Sequence, residues 1–584
     1  VFLPLTGQIQ HFPMVGKVSN GWKNLCFVGN LVFMAGQVQL LMLEDVVREY
    51  AGHDLQVLAR GLLLQHEDAE RRATGILFRA ADLFCKGEER VALFQLIEAR
   101  RLLGFIPLPL MANVVWLALR TGDEQLAAHE CLKFGGDAIE MGFSDLAYES
   151  FMAAYILDGM AAFEIIRSPE LLKWTGELYE RGAVLAGLLK EGKVPARRER
   201  RTTGRQRVAV VVPNLVDHVV AYTKRVLQFA RYLDRERYEL RVYVSENLSQ
   251  RAAPLFPFGC MDGVTEKTGK ETLAALRGAE VEVCMLPRDI PFSAAGRMLA
   301  ERLDADEIDV AVFQSGMACP VDWLAMRCSR VPVKAGIHIG TSYYGAGLDV
   351  VFVDNPRNLE REGNWDEGRD GRRVVLRKGT DIDVLDSQQA IERGRLRIPA
   401  GAVIVGTLSN HLDKRLSEEY LTLIAQVMKA HPAMWFVPIG ANTLLDKMQV
   451  FMRYGVAGRV RFAGRQLQVG SALKMLDVYA SEFPVGGSQS VMEAMACGVP
   501  VVAMKWSEAH AESVAAEAAG TPYGIMQRDL GAYAKVLSHL VESGEARRVA
   551  GRSMRLRAEQ YFSAGAYIAG IMRELERNLC ASGS

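Results

Sequence analysis

Between Ser481 and Ala503 the chain reads Ser-Glu-Phe-Pro-Val-Gly-Gly-Ser-Gln-Ser-Val-Met-Glu-Ala-Met-Ala-Cys-Gly-Val-Pro-Val-Val-Ala, a strand end, a glycine pair, a short helix and a second strand. Gly486 and Gly487 have no Cβ, so backbone N–H groups there can approach a ligand closely. Ser488 opens a helix whose N-terminus favours anions, and it and its first-turn neighbours Gln489 and Ser490 are candidate contacts to such a ligand. Glu493, about one and a half turns in, could accept hydrogen bonds from a ribose diol while the helix start holds a diphosphate. A glycine pair before a helix is also what any tight strand-to-helix turn uses, and this segment alone does not separate the two readings.

Three further residues could do chemistry beside such a cradle. His218 follows the strand Arg207-Val-Ala-Val-Val-Val by a few residues, where a loop at the carboxyl edge of a sheet would place a general base; Asp217 is its rival. Lys414 follows Val403-Ile-Val-Gly-Thr-Leu and precedes a helix, so its ammonium could offset charge on a departing diphosphate. Arg465, after Arg459-Val-Arg-Phe-Ala, is a second candidate cation. A polar surface histidine and solvated cations are the plain alternatives. Asp381-Ile-Asp383 reads as connector, so no metal and no cofactor is expected.

The elements that must position these residues follow from composition and periodicity. At 584 residues, 49% of them hydrophobic, the chain has material for about three domains and several cores. Lys plus Arg equals Asp plus Glu at 69 each, so the global positive field of a nucleic-acid binder is absent. The nine cysteines are scattered, without a C-x-x-C pair, which fits reduced thiols and a cytoplasmic location. The apolar run from Cys26 to Leu43 is broken by Asn30, Gln37 and Gln39, so a buried strand or helix is expected there rather than a membrane span, and no small-residue cleavage site follows it.

Residues 1–42 carry no clear assignment, and 43–189 show apolar residues at helical spacing throughout, an all-α domain with hints of degenerate tetratricopeptide-like repeats. Residues 190–206, with seven Lys and Arg and no interleaved aromatics, read as a charged linker rather than a nucleic-acid patch. From there strands alternate with helices, which predicts an α/β fold of two Rossmann-like doubly wound domains, 207–385 and 386–584, the second carrying the C-terminal helices. Ligands in such sheets bind outside the carboxyl ends of the strands, so a cleft between the two units is the expected site.

Taken together, residues 207–575 resemble glycosyltransferase family 41, the family of the O-linked N-acetylglucosamine transferase and of bacterial cytoplasmic protein N-glycosyltransferases. Arg207-Val-Ala-Val-Val-Val-Pro-Asn-Leu-Val-Asp-His looks like the family's opening strand and cleft histidine. Pro332-Val-Lys-Ala-Gly-Ile-His-Ile-Gly-Thr-Ser-Tyr-Tyr-Gly is similar to its Pro-Ile-Gln strand and Gly-x-Pro-x-Thr loop, with Ser342 and Tyr344 in place of proline and threonine. Lys414 lies where the family keeps a diphosphate-binding lysine, and Phe483-Pro-Val-Gly-Gly-Ser-Gln-Ser resembles its donor loop. Glu493 stands in place of the family's ribose-binding aspartate; glutamate before Ala-Met-Ala-Cys-Gly-Val-Pro-Val-Val is the habit of the retaining family 4, which usually carries a second glutamate where this chain has Val485.

The resemblance implies a GT-B fold and a metal-independent, inverting transfer from a UDP-sugar to an acceptor, most readily a protein side chain presented by the helical domain. His218 would assist the acceptor, while Lys414 and the Gly487 helix start would hold the departing UDP. Two other readings stand beside it: a retaining family 4 enzyme acting on polysaccharide or a lipid-linked glycan, and a non-catalytic scaffold that senses a nucleotide.

Overall fold

A computed structural model describes the strands within 26–38 and most of 69–581, apart from 104–107, 161–164, 166–167, 192, 217–219, 247–268, 289, 339–341, 355–370, 410–411, 441–446, 485 and 508–513. The apolar run near the start forms three short antiparallel strands, β1 (Cys26–Val28), β2 (Leu31–Met34) and β3 (Gln37–Val38). Six helices follow over Ala69–Cys85, Glu89–Leu103, Leu108–Arg120, Glu124–Glu140, Ser144–Met160 and Pro169–Leu185. Their turns are written in the sequence. Gly122 and Gly142 take the left-handed φ of 73° and 84° that stops a helix without a Cβ clash, and Asp123 caps the next helix through the Leu126 N–H at 3.0 Å. Small residues let neighbouring helices touch: a Cβ on Gly135 would sit 2.3 Å from the Phe151 ring.

This helical region is seated on the first α/β unit. Tyr179 donates to the Met317 carbonyl at 2.6 Å, Asp145 accepts from both the Ser293 N–H and its hydroxyl at 2.7 and 2.8 Å, and one continuous apolar core runs from Ile76 to Val353.

The first unit is a seven-stranded parallel sheet of β4 (Gln206–Val212), β5 (Tyr238–Val244), β6 (Glu282–Met285), β7 (Val310–Phe313), β8 (Val333–Ile337), β9 (Val350–Val353) and β10 (Arg372–Val375), ordered β10-β9-β8-β7-β4-β5-β6. Central β4 is buried on both faces, as its unbroken apolar run requires: Val208, Val210 and Val212 enter one core, Ala209 and Val211 the other. The second unit orders β11 (Val403–Leu408), β12 (Met434–Ile439), β13 (Val478–Ala480), β14 (Val501–Met504) and β15 (Gly524–Ile525) as β12-β11-β13-β14-β15, also parallel. Strand order reverses between β4 and β7 in the first sheet and between β11 and β13 in the second. These are the two switch points at which doubly wound sheets open a crevice. The architecture is two Rossmann-like units behind a helical region.

Two expectations are corrected. The last helix, Ala564–Ala581, does not stay with the second unit: Tyr567, Ile568, Ile571, Met572 and Leu575 pack into the first unit's core with Val226 and Phe229, so the chain crosses back at its end. Its apolar stripe fixes which face is buried but not against which sheet. Arg459–Ala463 is not a full strand. It follows the 3-10 turn Ala457–Arg459, makes the Phe436–Val460 bridge and donates from the Ala463 N–H to the Pro438 carbonyl at 3.2 Å, but Pro438 has no N–H to complete the ladder.

Candidate functional site

The loops at the second switch point, after β11 and after β13, are the ones the sequence marks for chemistry. After β13 the chain runs through Ser481, Glu482 and Phe483 into buried Gly486 and Gly487 and then the helix Ser488–Ala496. No side chain caps that helix at Gly487, so its first-turn N–H groups are left to other partners. Gly487 has an ordinary φ of −84°, so its missing Cβ serves close approach rather than a special turn. A Cβ there would lie 2.9 Å from Arg415 Nη1 and 2.3 Å from Ser490 Oγ. Beyond the helix's own Ser490, the nearest group to the glycine's open Cβ position is the Arg415 guanidinium, brought by the four-residue helix Leu412–Arg415 that follows β11. Lys414 lies in the same short helix.

Ser490 turns inward, which corrects its assignment as a ligand contact. It donates to the Gly487 carbonyl at 3.2 Å and accepts from the Tyr479 hydroxyl at 2.9 Å, so it holds the glycine loop against the sheet. Ser417 fastens the other side, donating to the Phe483 carbonyl at 2.7 Å. Beneath this loop Glu482 is fully buried with both carboxyl oxygens free of hydrogen bonds. Burial pushes its carboxyl above the usual range, against the opposing pull of the Arg415 charge.

Glu493 is buried on the side of the helix that meets the first unit. Its Oε1 is 2.5 Å from Lys224 Nζ, on the helix Ala221–Tyr232 that follows β4, and 3.3 Å from the Gln489 amide. Gln489 also reaches Thr380 Oγ1 at 3.2 Å, in the segment joining the two units. Arg465 is exposed near the carboxyl end of the second sheet, next to Gly464, whose carbonyl accepts from Gly440 just beyond β12. The structure thus gathers Lys414, Arg415 and Gly486–Glu493 at one sheet edge. Arg415 and Lys224 were missed: Lys224 is 269 residues from Glu493, and nothing local marks it.

Asp217 and His218 lie outside the described residues. At the carboxyl edge of the first sheet Arg225 donates to the Gln314 side-chain carbonyl at 3.0 Å beyond β7, and Lys378 pairs with Asp354 at 2.5 Å beyond β9. Burial of Asp354 is outweighed by Lys378 and His338, which hold its carboxyl below the usual range. Asp322, wholly buried under this edge, is pushed up to about 6 by desolvation, with Ser245 and Ser315 offsetting part of the shift. Asp381 caps the helix Ile382–Ser387 through the Val384 N–H and accepts from Arg231 and Tyr232, which accounts for the Asp381/Asp383 pair as connector. Among the described residues no cluster of three or more His, Cys, Asp or Glu could hold a metal, and no helix is long and apolar enough to cross a membrane.

Comparison with known proteins falls on this second unit. Residues 401–543 match the family described as glycosyl transferases group 1. The lipopolysaccharide core biosynthesis glycosyltransferase LpsE of Rhizobium meliloti (strain 1021) is 28% identical over 166 residues, which is 28% of this chain and 46% of that protein; the chain therefore spans under half the length of the curated relative it matches. Among solved structures, a mutant O-GlcNAc transferase of Thermobaculum terrenum aligns with 89% of this chain and 99% of its own at 15% identity and a TM-score of 0.49. Anabaena HepE in complex with UDP and glucose aligns with 64% of this chain and 100% of its own, at 14% identity and a TM-score of 0.47.

Proposed function

We propose that the chain is a glycosyltransferase that binds a nucleoside diphosphate sugar on its second unit and transfers the sugar to an acceptor held by the first. The observation that carries this reading is the approach of the cation-bearing segment Leu412–Arg415, after β11, to an uncapped helix start after β13, at the β11/β13 switch point and within the segment that matches glycosyl transferases group 1. The diphosphate takes the N–H groups of the Ser488–Ala496 helix, with Arg415 and Lys414 offsetting charge as the glycosidic bond breaks. Glu493 accepts from the ribose hydroxyls. UDP is the nucleotide the family 41 resemblance implies, and no metal is needed when cations and a helix dipole stand in its place.

His218 is proposed to assist the acceptor. A protein side chain is the acceptor favoured by the helical region, whose core is continuous with the acceptor-side unit. Displacement then proceeds with inversion. A second reading, a saccharide acceptor with retention, is favoured by the similarity to LpsE and by glutamate rather than aspartate at position 493. Incubation with UDP-sugars and cell lysate, with mass spectrometry of peptides and of glycans, tests both. Hexose or N-acetylhexosamine on peptides supports the first, and a glycan product with a retained anomer supports the second. No transfer with any donor overturns the enzymatic reading in favour of a nucleotide-sensing scaffold.

A further inference from the structure

The cleft carries one direct charge contact between the nucleotide-side helix and the first unit that the proposed reaction does not use. Lys224 reaches from the helix after β4 and places Nζ 2.5 Å from Glu493 Oε1, the carboxylate assigned above to the ribose. The Glu493 side chain is 5% exposed and that of Lys224 22%. The Gln489 amide, one turn nearer the helix start, shares the same oxygen at 3.3 Å. The carboxylate that would recognise a ribose is thus paired with a cation from the opposite unit.

Resting on the nucleotide-sugar reading, we propose that Lys224 is a specificity-determining residue that admits a nucleoside diphosphate and rejects the bare nucleoside. A neutral nucleoside brings two hydroxyls to Glu493 but nothing for the ammonium. Taking it would strand a buried carboxylate and a partly buried cation without their charge partners. A nucleoside diphosphate brings its own negative charge. With its ribose at Glu493 and its diphosphate at the Gly487 helix start, about 9 Å away along the helix axis by the rise per residue, the anion lies within the sweep of a lysine side chain. The ammonium moves from carboxylate to phosphate, no charge is left unpaired, and Glu493 is freed at the moment the ribose needs it. Lys224 thus couples recognition of the two halves of the ligand and draws the first unit toward the second when the donor binds.

The alternative is that the pair is only a clasp holding the two units together. Calorimetric titration of UDP and of uridine into the wild-type chain, Lys224→Met and Lys224→Gln separates the two. Loss of the cation is expected to weaken UDP about tenfold and to tighten uridine about tenfold, so that the ratio of their affinities collapses on the order of a hundredfold in both variants. Lys224→Arg is expected to restore most of that ratio. A clasp predicts equal changes for both ligands, and an unchanged ratio in whichever variant folds overturns the proposal. Failure of the wild-type chain to bind UDP, ADP, GDP, CDP or TDP overturns the functional reading and this inference with it. Tight UDP binding with an unaltered ratio overturns the inference alone.

Discussion

Gly487→Ala isolates the approach of Arg415 to the helix start. The backbone at Gly487, φ −84° and ψ 106°, is open to alanine, so the substitution brings no conformational strain of its own. What it brings is a methyl 2.9 Å from Arg415 Nη1 and 2.3 Å from Ser490 Oγ. Ordinary contact needs about 3.5 Å, so the guanidinium must retreat by roughly half an ångström and the serine hydroxyl must swing away, giving up its bond to the Gly487 carbonyl. A charge-assisted hydrogen bond to a diphosphate contributes about 1.5–3 kcal/mol, so its loss weakens nucleotide binding by about 10- to 150-fold. The fold changes little, because the lost Ser490 bond costs about 1 kcal/mol and the stiffer unfolded chain returns about 0.4–1 kcal/mol. Calorimetric titration with UDP, paired with thermal melting, checks both halves. An affinity within about threefold of wild type would refute the role given to Arg415.

Other consequences follow from groups outside the nucleotide loop. The raised carboxyl of Asp322, at about 6, means that the folded chain holds its proton more tightly than the unfolded one. Stability from this group is fully present below the unfolded value of about 4 and is lost as the pH rises through about 6. Asp322→Asn should therefore stabilise the protein at pH 8, on the order of 3 kcal/mol, with the gain vanishing near pH 4; denaturant midpoints at the two pH values test it. Tyr179→Phe removes the 2.6 Å bond to the Met317 carbonyl and leaves that acceptor buried, costing about 1–3 kcal/mol. Hydrogen exchange should then loosen Pro169–Leu185 more than the sheet.

The sequence was legible where one local rule decides the outcome. Unbroken apolar runs such as 208–212 and 310–313 became central strands because both faces of a parallel sheet are covered. The glycine pair before Ser488 became a strand-to-helix turn at a switch point because β13 lies beside β11. What stayed hidden depends on partners distant along the chain. Ser490 looked like a ligand donor until Tyr479, eleven residues back on β13, took it into the core. Glu493 looked like a free carboxylate, and only the packing of one unit on the other shows the Lys224 ammonium upon it. The amphipathic stripe of Ala564–Ala581 could not say which of two sheets it would cover.

The central claim is that the β11/β13 edge holds a nucleotide sugar for cleavage at the anomeric carbon. The direct measurement is nucleotide release from a panel of UDP-sugars by the wild-type chain and by Lys414→Ala. Turnover of at least one donor, reduced about 10²- to 10³-fold in the variant, is the predicted result, as for loss of one group that stabilises developing charge. Turnover that Lys414→Ala leaves unchanged, or no release from any donor, would contradict it.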